Sequence, residues 1–176
     1  LDGAALASDD GVGAEMLMTF AECLEEGDAA GLALRAAAGE CVALVHEARV
    51  GLGADDDDVG NTTQRRYQRG SWDGSDWEGH VDELRLRISE LSVGSAKSMA
   101  KKARKEQRHI FREVAATLED DEPPPERVIS FGRGGTLRVS SWETAVRCDF
   151  LRECLQGGFQ AHLAANVDVR EMLGAE

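Results

Sequence analysis

The sequence predicts a mostly α-helical protein that carries one small β-hairpin near its C-terminal end. Of its 176 residues, 42% are hydrophobic, which is enough to build a core. Aromatic residues are only 5%, and Ala and Leu are abundant, which favours helices packed through small side chains over a β-sandwich. Apolar residues recur at steps of three and four in several segments, which is the period of an amphipathic helix.

Two helices of similar length are predicted in the first 50 residues. Residues 14–28, AEMLMTFAECLEEGD, have helical spacing and a Gly stop, and residues 31–51, GLALRAAAGECVALVHEARVG, repeat both features. The short turn between them makes an antiparallel αα-hairpin. Such a hairpin cannot bury its apolar faces alone, so we expect residues 1–50 to end an α-solenoid whose earlier repeats lie upstream in a longer protein.

Residues 51–79 are predicted to be a flexible acidic linker, because Gly, Asp and Asn dominate and no apolar period survives. The four consecutive aspartates at 55–58 lack the spacing of a calcium loop and fit a solvated linker. The aromatic residues Tyr67, Trp72 and Trp77 lie next to or shortly after three arginines, at positions 65, 66 and 69. They fit either incidental linker residues or a short binding motif.

Residues 80–119 are predicted to hold an amphipathic helix and then a long basic helix over 97–119. The first shows a narrow apolar stripe that includes Val81, Leu84 and Ile88. The second has its C-terminal half anchored by apolar residues, while its N-terminal half has little to bury. The expected apolar face of the basic helix consists of Ala103, Gln107, Ile110, Phe111, Val114 and Leu118.

Residues 120–176 are predicted to form a β-hairpin followed by helices. Three prolines end the basic helix. The segments RVISF and TLRVSSW then flank GRGG, whose glycines allow the positive φ of a turn. Ser140 or Ser141 caps the next helix, with Glu143 completing a capping box, and shorter helices break near Asn166. We expect residues 97–176 to fold as one α-β-β-α-α unit, with the basic helix oriented by a core of Phe111, Trp142, Phe150, Leu151 and Phe159.

No catalytic, cofactor or metal site is predicted. The histidines are scattered, and none lies in an HExxH motif or beside a recognisable nucleophile. The segment FGRGGTLR lacks the Gly-Lys-Ser/Thr ending of a phosphate-binding loop. The cysteines have no CxxC spacing and fit reduced thiols in the core. Because no catalytic arrangement is recognised, we do not expect an enzyme. No apolar run is long enough to cross a bilayer, so we do not expect a membrane protein either.

The basic helix is the candidate functional site. Residues 97–112 contain seven Lys and Arg and one Glu, a net charge of +6 in a chain whose formal net charge is −13. Like charges stand four residues apart, which costs stability that a polyanion such as RNA would restore. Two other interpretations stay open: KKAR at 101–104 fits a nuclear-import signal, and the helix could dock on acidic segments of this chain. The candidate nucleic-acid-binding residues are Lys97, Lys101, Lys102, Arg104, Lys105, Arg108 and Arg112.

The order of these features resembles the C-terminal domain of the interferon-related developmental regulator family. The resemblance rests on SAKSMAKKARKEQRHIFREV, the acidic proline-containing link, and the segment from VISFGRGG to VREML. In addition, LRAAAGECVALVHEAR is similar to the last helix of the family's armadillo/HEAT-like N-terminal region. The likeness covers roughly residues 30–50 and 81–176, while the triple proline and the acidic Gly-rich linker depart from the family's pattern.

The resemblance implies a regulator without catalysis. Two roles are associated with the family: binding of translationally idle ribosomes, with the C-terminal region in tRNA and mRNA space, and transcriptional co-regulation through protein partners. We expect the first, with rRNA and ribosomal proteins as partners, no small-molecule substrate and a cytoplasmic location. The alternative is a nuclear co-regulator whose basic run serves import.

Overall fold

The computed structural model describes residues 10–25, 31–50, 75–93 and 101–175, and these ranges are mostly helical, as predicted. The chain divides into two units between Glu122 and Pro123. The first unit contains the helices α1 (Asp10–Leu24), α2 (Gly31–Val50), α3 (Ser75–Val93) and α4 (Lys101–Asp120). The second contains β1 (Arg127–Phe131), β2 (Gly135–Val139), α5 (Trp142–Leu155), a 3-10 turn (Gln156–Gly158), α6 (Phe159–Ala165) and α7 (Val167–Leu173).

Helices α1 and α2 pack against each other as the predicted αα-hairpin, and they bury some of the apolar residues whose spacing predicted the helices. Leu17 and Leu24 of α1 are buried, as are Val42 and Val45 of α2. These positions are separated by steps of seven and three, so they project from one side of each helix.

A second pair of helices, α3 and α4, stacks on this hairpin, with α1 packed against α3 and α2 against α4. Arg35 of α2 hydrogen-bonds Gln107 of α4, and further along both helices His46 contacts Asp121. Since both partners advance together, α2 and α4 run parallel. By the same reasoning α3 and α4 run antiparallel, because Gln107 donates to the carbonyl of Leu91 and Arg85 to that of Leu118.

The helices that stack on the first hairpin come from a part of the chain that the sequence analysis had not indicated. We expected the apolar faces of residues 1–50 to be covered by repeats upstream, whereas the structure covers them in part with α3 and α4, downstream in the chain. In an α-solenoid, successive helical hairpins stack on one another, each helix on the corresponding helix of its neighbour. The basic helix α4 is therefore the second helix of the second hairpin in such a stack.

The start of α3 differs from the predicted linker boundary at residue 79. Helix α3 begins at Ser75, so the last five residues of the expected linker are helical. The sequence of this first turn, SDWEG, has no apolar period that would indicate a helix. Tyr67, Trp72 and the aspartates at 55–58 lie outside the described residues, as does Lys97.

The second unit is a β-hairpin covered by short helices. Strands β1 and β2 are antiparallel, with Ile129 opposite Leu137, and the turn has positive φ at Gly132 and Gly134, as the sequence predicted. Ser141 caps α5 by accepting from the amide of Thr144 at 3.1 Å, so the predicted capping box from Ser140 is not the one used. The core of the unit consists of Phe131, Leu137, Val139, Ala145, Cys148, Phe159, Leu163, Val169 and Leu173.

The predicted five-residue core is only partly correct. Trp142 is buried, Phe159 belongs to the core of the second unit and Leu151 packs against that core, whereas Phe111 and Phe150 differ from the prediction. Phe111 is fully buried but belongs to the first unit, where α4 packs against α2 and α3. Phe150 is 64% exposed, because the buried positions of α5 are Trp142, Ala145 and Cys148 and the helical period turns position 150 away from them. The expected 97–176 unit thus begins only at Pro123.

Candidate nucleic-acid interface

Helix α4 has two faces of opposite character. Its buried residues are Gln107, Phe111, Val114, Thr117 and Leu118, four of which follow the helical steps of four, three and four. Phe111 and Val114 are fully buried. The burial of this stripe fixes which side of α4 turns outward, and the cations are on that side.

Six of the seven predicted cations lie on the outward side of α4 and its margins, and the seventh, Lys97, is outside the described residues. Four of them are exposed and two, Arg104 and Arg108, are half-buried. Lys102, Lys105, Arg108 and Arg112 line one open surface depression together with Glu106 and His109. We use the name cationic face for six residues: Lys101, Lys102, Arg104, Lys105, Arg108 and Arg112.

The cationic face lacks the ion pairs that other basic residues of this protein form. Arg87 binds Glu25 and Glu90, Arg127 binds Asp149, and Arg138 binds Glu126. Within the described ranges, no carboxylate forms an ion pair with any of the six cations of the face. Since paired charges are the usual arrangement on the rest of this surface, the face is set apart by its uncompensated charge.

The charges of α4 also oppose its helix dipole. The N-terminus of a helix carries partial positive charge and its C-terminus partial negative charge. Lys101 and Lys102 begin α4, its first turn has no acidic residue, and Glu119 and Asp120 end it without a basic residue in the last turn. Each such charge is unfavourable by about 0.3–1 kcal/mol at low ionic strength. The arrangement concentrates positive potential at one end of the helix at some cost in stability.

Contacts with α2 and α3 hold α4 in place along its length. Arg35 Nη2 donates to Gln107 Oε1 at 3.2 Å between two buried side chains, and Gln107 Nε2 reaches the Leu91 carbonyl at 3.4 Å. Gly39 lies so close to α4 that a Cβ at this position would stand 2.9 Å from the Phe111 ring. At the far end of α4, His46 Nε2 lies 2.8 Å from Asp121 Oδ1. The face is therefore presented by a fixed scaffold.

Sequence reasoning missed the residues of this scaffold. Gly39 stands inside a helical pattern, where glycine is unfavourable, and that was a signal of close helix approach. Arg35 interrupts an otherwise apolar run, which indicated a buried charge that needs an acceptor. Neither signal names the partner helix, because the contacts span 72 residues of chain.

The described residues were also searched for other kinds of site. In these ranges no three His, Cys, Asp or Glu side chains come together as metal ligands, and no described helix is long and apolar enough to cross a membrane. The four cysteines are free thiols, and Cys148 is buried while Cys154 is exposed, so Cys154 is not the core residue that we expected. Burial raises the pKa of the Cys41 and Cys148 thiols above the usual 9.0.

Comparison with known proteins assigns the family. Residues 3–119 match the family described as interferon-related developmental regulator (IFRD), and this range covers about two thirds of the chain. The chain belongs to the IFRD family. The match begins well before residue 30, where the sequence resemblance was placed, and ends within the last turn of α4. It thus contains the whole cationic face.

A yeast protein extends the similarity beyond the IFRD match. An uncharacterised protein of Schizosaccharomyces pombe, C20F10.03, is 31% identical over 165 residues, which cover 91% of this chain. This coverage requires that the alignment include part of the second unit. The chain spans only 36% of the length of the yeast protein.

Proposed function

We propose that this IFRD protein is a non-enzymatic regulator that binds translationally inactive ribosomes and keeps them idle. In this proposal the cationic face of α4 contacts ribosomal RNA. The observation that carries it is the set of six cations without an ion-pair partner among the described residues, presented on a helix whose dipole they oppose. The sequence resemblance to ribosome-binding members of the family supports the choice of ribosome.

A polyanion is the partner that suits this surface. The cations of α4 repel one another and the helix dipole, and phosphates would remove both penalties while their counterions are released. The rest of the chain is strongly acidic, since the whole chain carries −13 although residues 97–112 carry +6. Such an acidic remainder repels RNA elsewhere on the surface and directs RNA to the cationic face.

The scaffold supports a role in occupying a preformed RNA surface. Because α4 is held by α2 and α3 through Arg35, Arg85 and the close approach at Gly39, its backbone is ordered before binding and only the cationic side chains lose freedom. A positioned set of cations that binds phosphates of any sequence suits a protein that occupies a ribosomal site and excludes other ligands from that site. The cytoplasm is the proposed location.

Sedimentation with ribosomes tests this proposal. Purified protein is centrifuged with vacant and with translating ribosomes, beside Lys101→Glu/Lys105→Glu and a control, Arg133→Glu/Arg138→Glu, which changes net charge equally on the second unit. We expect wild type and control to pellet with vacant ribosomes and the α4 variant to remain in the supernatant. Pelleting of all three proteins would contradict the proposal.

The nuclear alternative is tested by the same variants in cells. If the basic run were an import signal for a transcriptional co-regulator, Lys101→Glu/Lys105→Glu would abolish nuclear entry and leave ribosome sedimentation unchanged. Fluorescent fusions of the three proteins, followed in parallel with sucrose-gradient profiles, separate the two functions.

A further inference from the structure

We propose that the cationic face recognises the backbone of duplex RNA, in preference to single-stranded RNA and to DNA, and that Glu106 accepts a hydrogen bond from a ribose 2′-hydroxyl. This inference rests on the proposed function, because it specifies which form of RNA the face contacts. It follows from the spread of the cations around α4, from the carboxylate of Glu106 beside them, and from the scarcity of exposed aromatic and amide side chains on the same helix.

The cations spread too widely around α4 to serve a single phosphate row. With 3.6 residues per turn, Lys101, Lys105, Arg108 and Arg112 form a central row about 16 Å long. Lys102 lies on one side of this row and Arg104 on the other, so the cations cover roughly 160° of the helix circumference. A central row with one cation on either side matches the two phosphate backbones that flank a groove better than it matches a single strand.

The outward side of α4 lacks the series of aromatic side chains that commonly binds single strands. Single-stranded nucleic acids are commonly held by stacking of bases on aromatic side chains. In α4, from Lys101 to Asp120, the one Phe, Tyr or Trp is Phe111, and its side chain is 0% exposed. His109 is exposed and lies 3.3 Å from Glu113, but it is a single ring, whereas single strands are held by several aromatic side chains on which successive bases stack. The face is thus built for phosphates rather than for exposed bases.

Base-specific readout is also disfavoured. Gln107 is the amide side chain of α4 that could pair with a base edge, but it is buried and its amide is bound to Arg35 and to the Leu91 carbonyl. The arginines of the face could read guanine in the major groove of B-DNA, but the major groove of A-form RNA is too deep and narrow for side chains to read. On duplex RNA the cations thus contact phosphates, which carry no sequence information. We therefore expect binding that depends on the shape of the duplex and not on its sequence.

Glu106 supplies the preference for RNA over DNA. Its carboxylate shares the surface depression with Lys102, Lys105 and Arg108. A carboxylate can only accept hydrogen bonds, and near phosphates it is repelled unless a donor faces it. The wide, shallow minor groove of A-form RNA displays 2′-hydroxyl donors, which DNA lacks. An acid in this depression, at the edge of the cationic face, would thus be tolerated by RNA and opposed by DNA.

Fluorescence anisotropy tests the inference with the full chain and four probes of equal phosphate number. The probes are an A/U-rich RNA duplex, a G/C-rich RNA duplex, an unstructured single-stranded RNA and a DNA duplex. We expect the two RNA duplexes to bind alike and about tenfold more tightly than the single strand. Comparable or tighter binding of the single strand would overturn the inference. Equal or tighter binding of the DNA duplex would also overturn it, and tighter binding would favour the nuclear role.

Glu106→Gln then tests the discriminating contact, with Glu153→Gln as a control of equal charge change on an exposed residue of the second unit. Glu106→Gln should raise the affinity for DNA more than that for RNA, so the ratio of the two dissociation constants falls several-fold, whereas the control leaves the ratio unchanged. An unchanged ratio in Glu106→Gln would remove Glu106 from the proposal. Protein that pellets with ribosomes without a preference for duplex RNA would leave the proposed function standing and refute this inference.

Discussion

Arg35 and Gln107 join two helices that are 72 residues apart in the chain, through a 3.2 Å hydrogen bond between buried side chains. Arg35 is 3% exposed and Gln107 4%. Gln107 lies on α4 between Arg104 and Arg108 of the cationic face. A buried guanidinium bound to this position links the α1–α2 hairpin to the helix that we propose binds RNA.

Gln107→Leu should therefore destabilise the first unit. The substitution keeps a side chain of similar volume but removes one acceptor from a buried guanidinium, and we expect a loss of about 1–3 kcal/mol in the free energy of unfolding. Urea denaturation followed by circular dichroism measures it. Gln160→Leu, at an exposed position of α6, is the matched control and should change stability by less than about 0.5 kcal/mol. Equal stability of the two variants would show that this bond is unimportant.

Two substitutions of glycine by alanine should change the stability of the protein in opposite directions. In Gly39→Ala the new methyl group would stand 2.9 Å from the buried Phe111 ring, which forces α2 and α4 apart and costs about 1–3 kcal/mol. At Gly79, within α3, an added Cβ meets no atom within 4 Å. Gly79→Ala should stabilise the protein by up to about 1 kcal/mol through helix propensity alone. Thermal unfolding of both variants gives the comparison, and a neutral Gly39→Ala would refute the close packing.

Neutralising the start of α4 should raise stability while weakening RNA binding. Lys101→Gln/Lys102→Gln removes two cations from the positive end of the helix dipole and the two like-charge pairs that these lysines form with Lys105. We expect a higher Tm at low salt and a gain that shrinks at 1 M salt, because exposed charges are then screened. If the double variant were less stable at low salt, these lysines would have compensating contacts, and the argument for a polyanionic partner would lose its basis.

The buried thiol of Cys148 should resist alkylation. Its pKa is raised mainly by burial and also by Asp149, while Arg152 and Arg127 oppose the shift. Because the thiolate is the nucleophile, iodoacetamide at pH 8 should modify the exposed Cys154 well before Cys148, as peptide mass spectrometry can measure.

The same pKa shift makes a prediction for alkaline pH. The folded state keeps the Cys148 proton above pH 9, where the unfolded thiol loses it, so this contribution to stability is complete below about pH 9 and is lost at higher pH. Cys148→Ala should accordingly show a smaller fall in urea midpoint between pH 8 and pH 10 than wild type. A fall of the same size would assign the alkaline loss to other groups.

The sequence allowed good predictions of local structure. The helices α1, α2 and α4, the β-hairpin and the break at Asn166 follow from spacing, glycines and capping residues, whose effects extend over a few positions. Asn166 caps α7 by accepting from the amides of Asp168 and Val169, as its side chain permits.

The pairing of these elements was less predictable. Phe111 has an apolar surface that fits the second unit as well as it fits α2, because hydrophobic burial has no direction. Its true neighbour is identified by Gly39, a single missing side chain on another helix. Phe150 shows the converse, since an aromatic residue on a helix was expected in the core and lies mostly exposed. Long-range contacts of this kind require the structure.

The salt dependence of ribosome binding tests the central claim most directly. The dissociation constant for vacant ribosomes is measured between 50 and 200 mM salt for wild type, Lys105→Gln, Arg108→Gln, Arg112→Gln and the control Arg138→Gln. If the cationic face binds phosphates, each α4 variant should weaken binding and reduce the slope of log K against log salt by about 1, and the control should leave it unchanged. Identical slopes for all five proteins would contradict the account, because the cations of α4 would then contribute no phosphate contact.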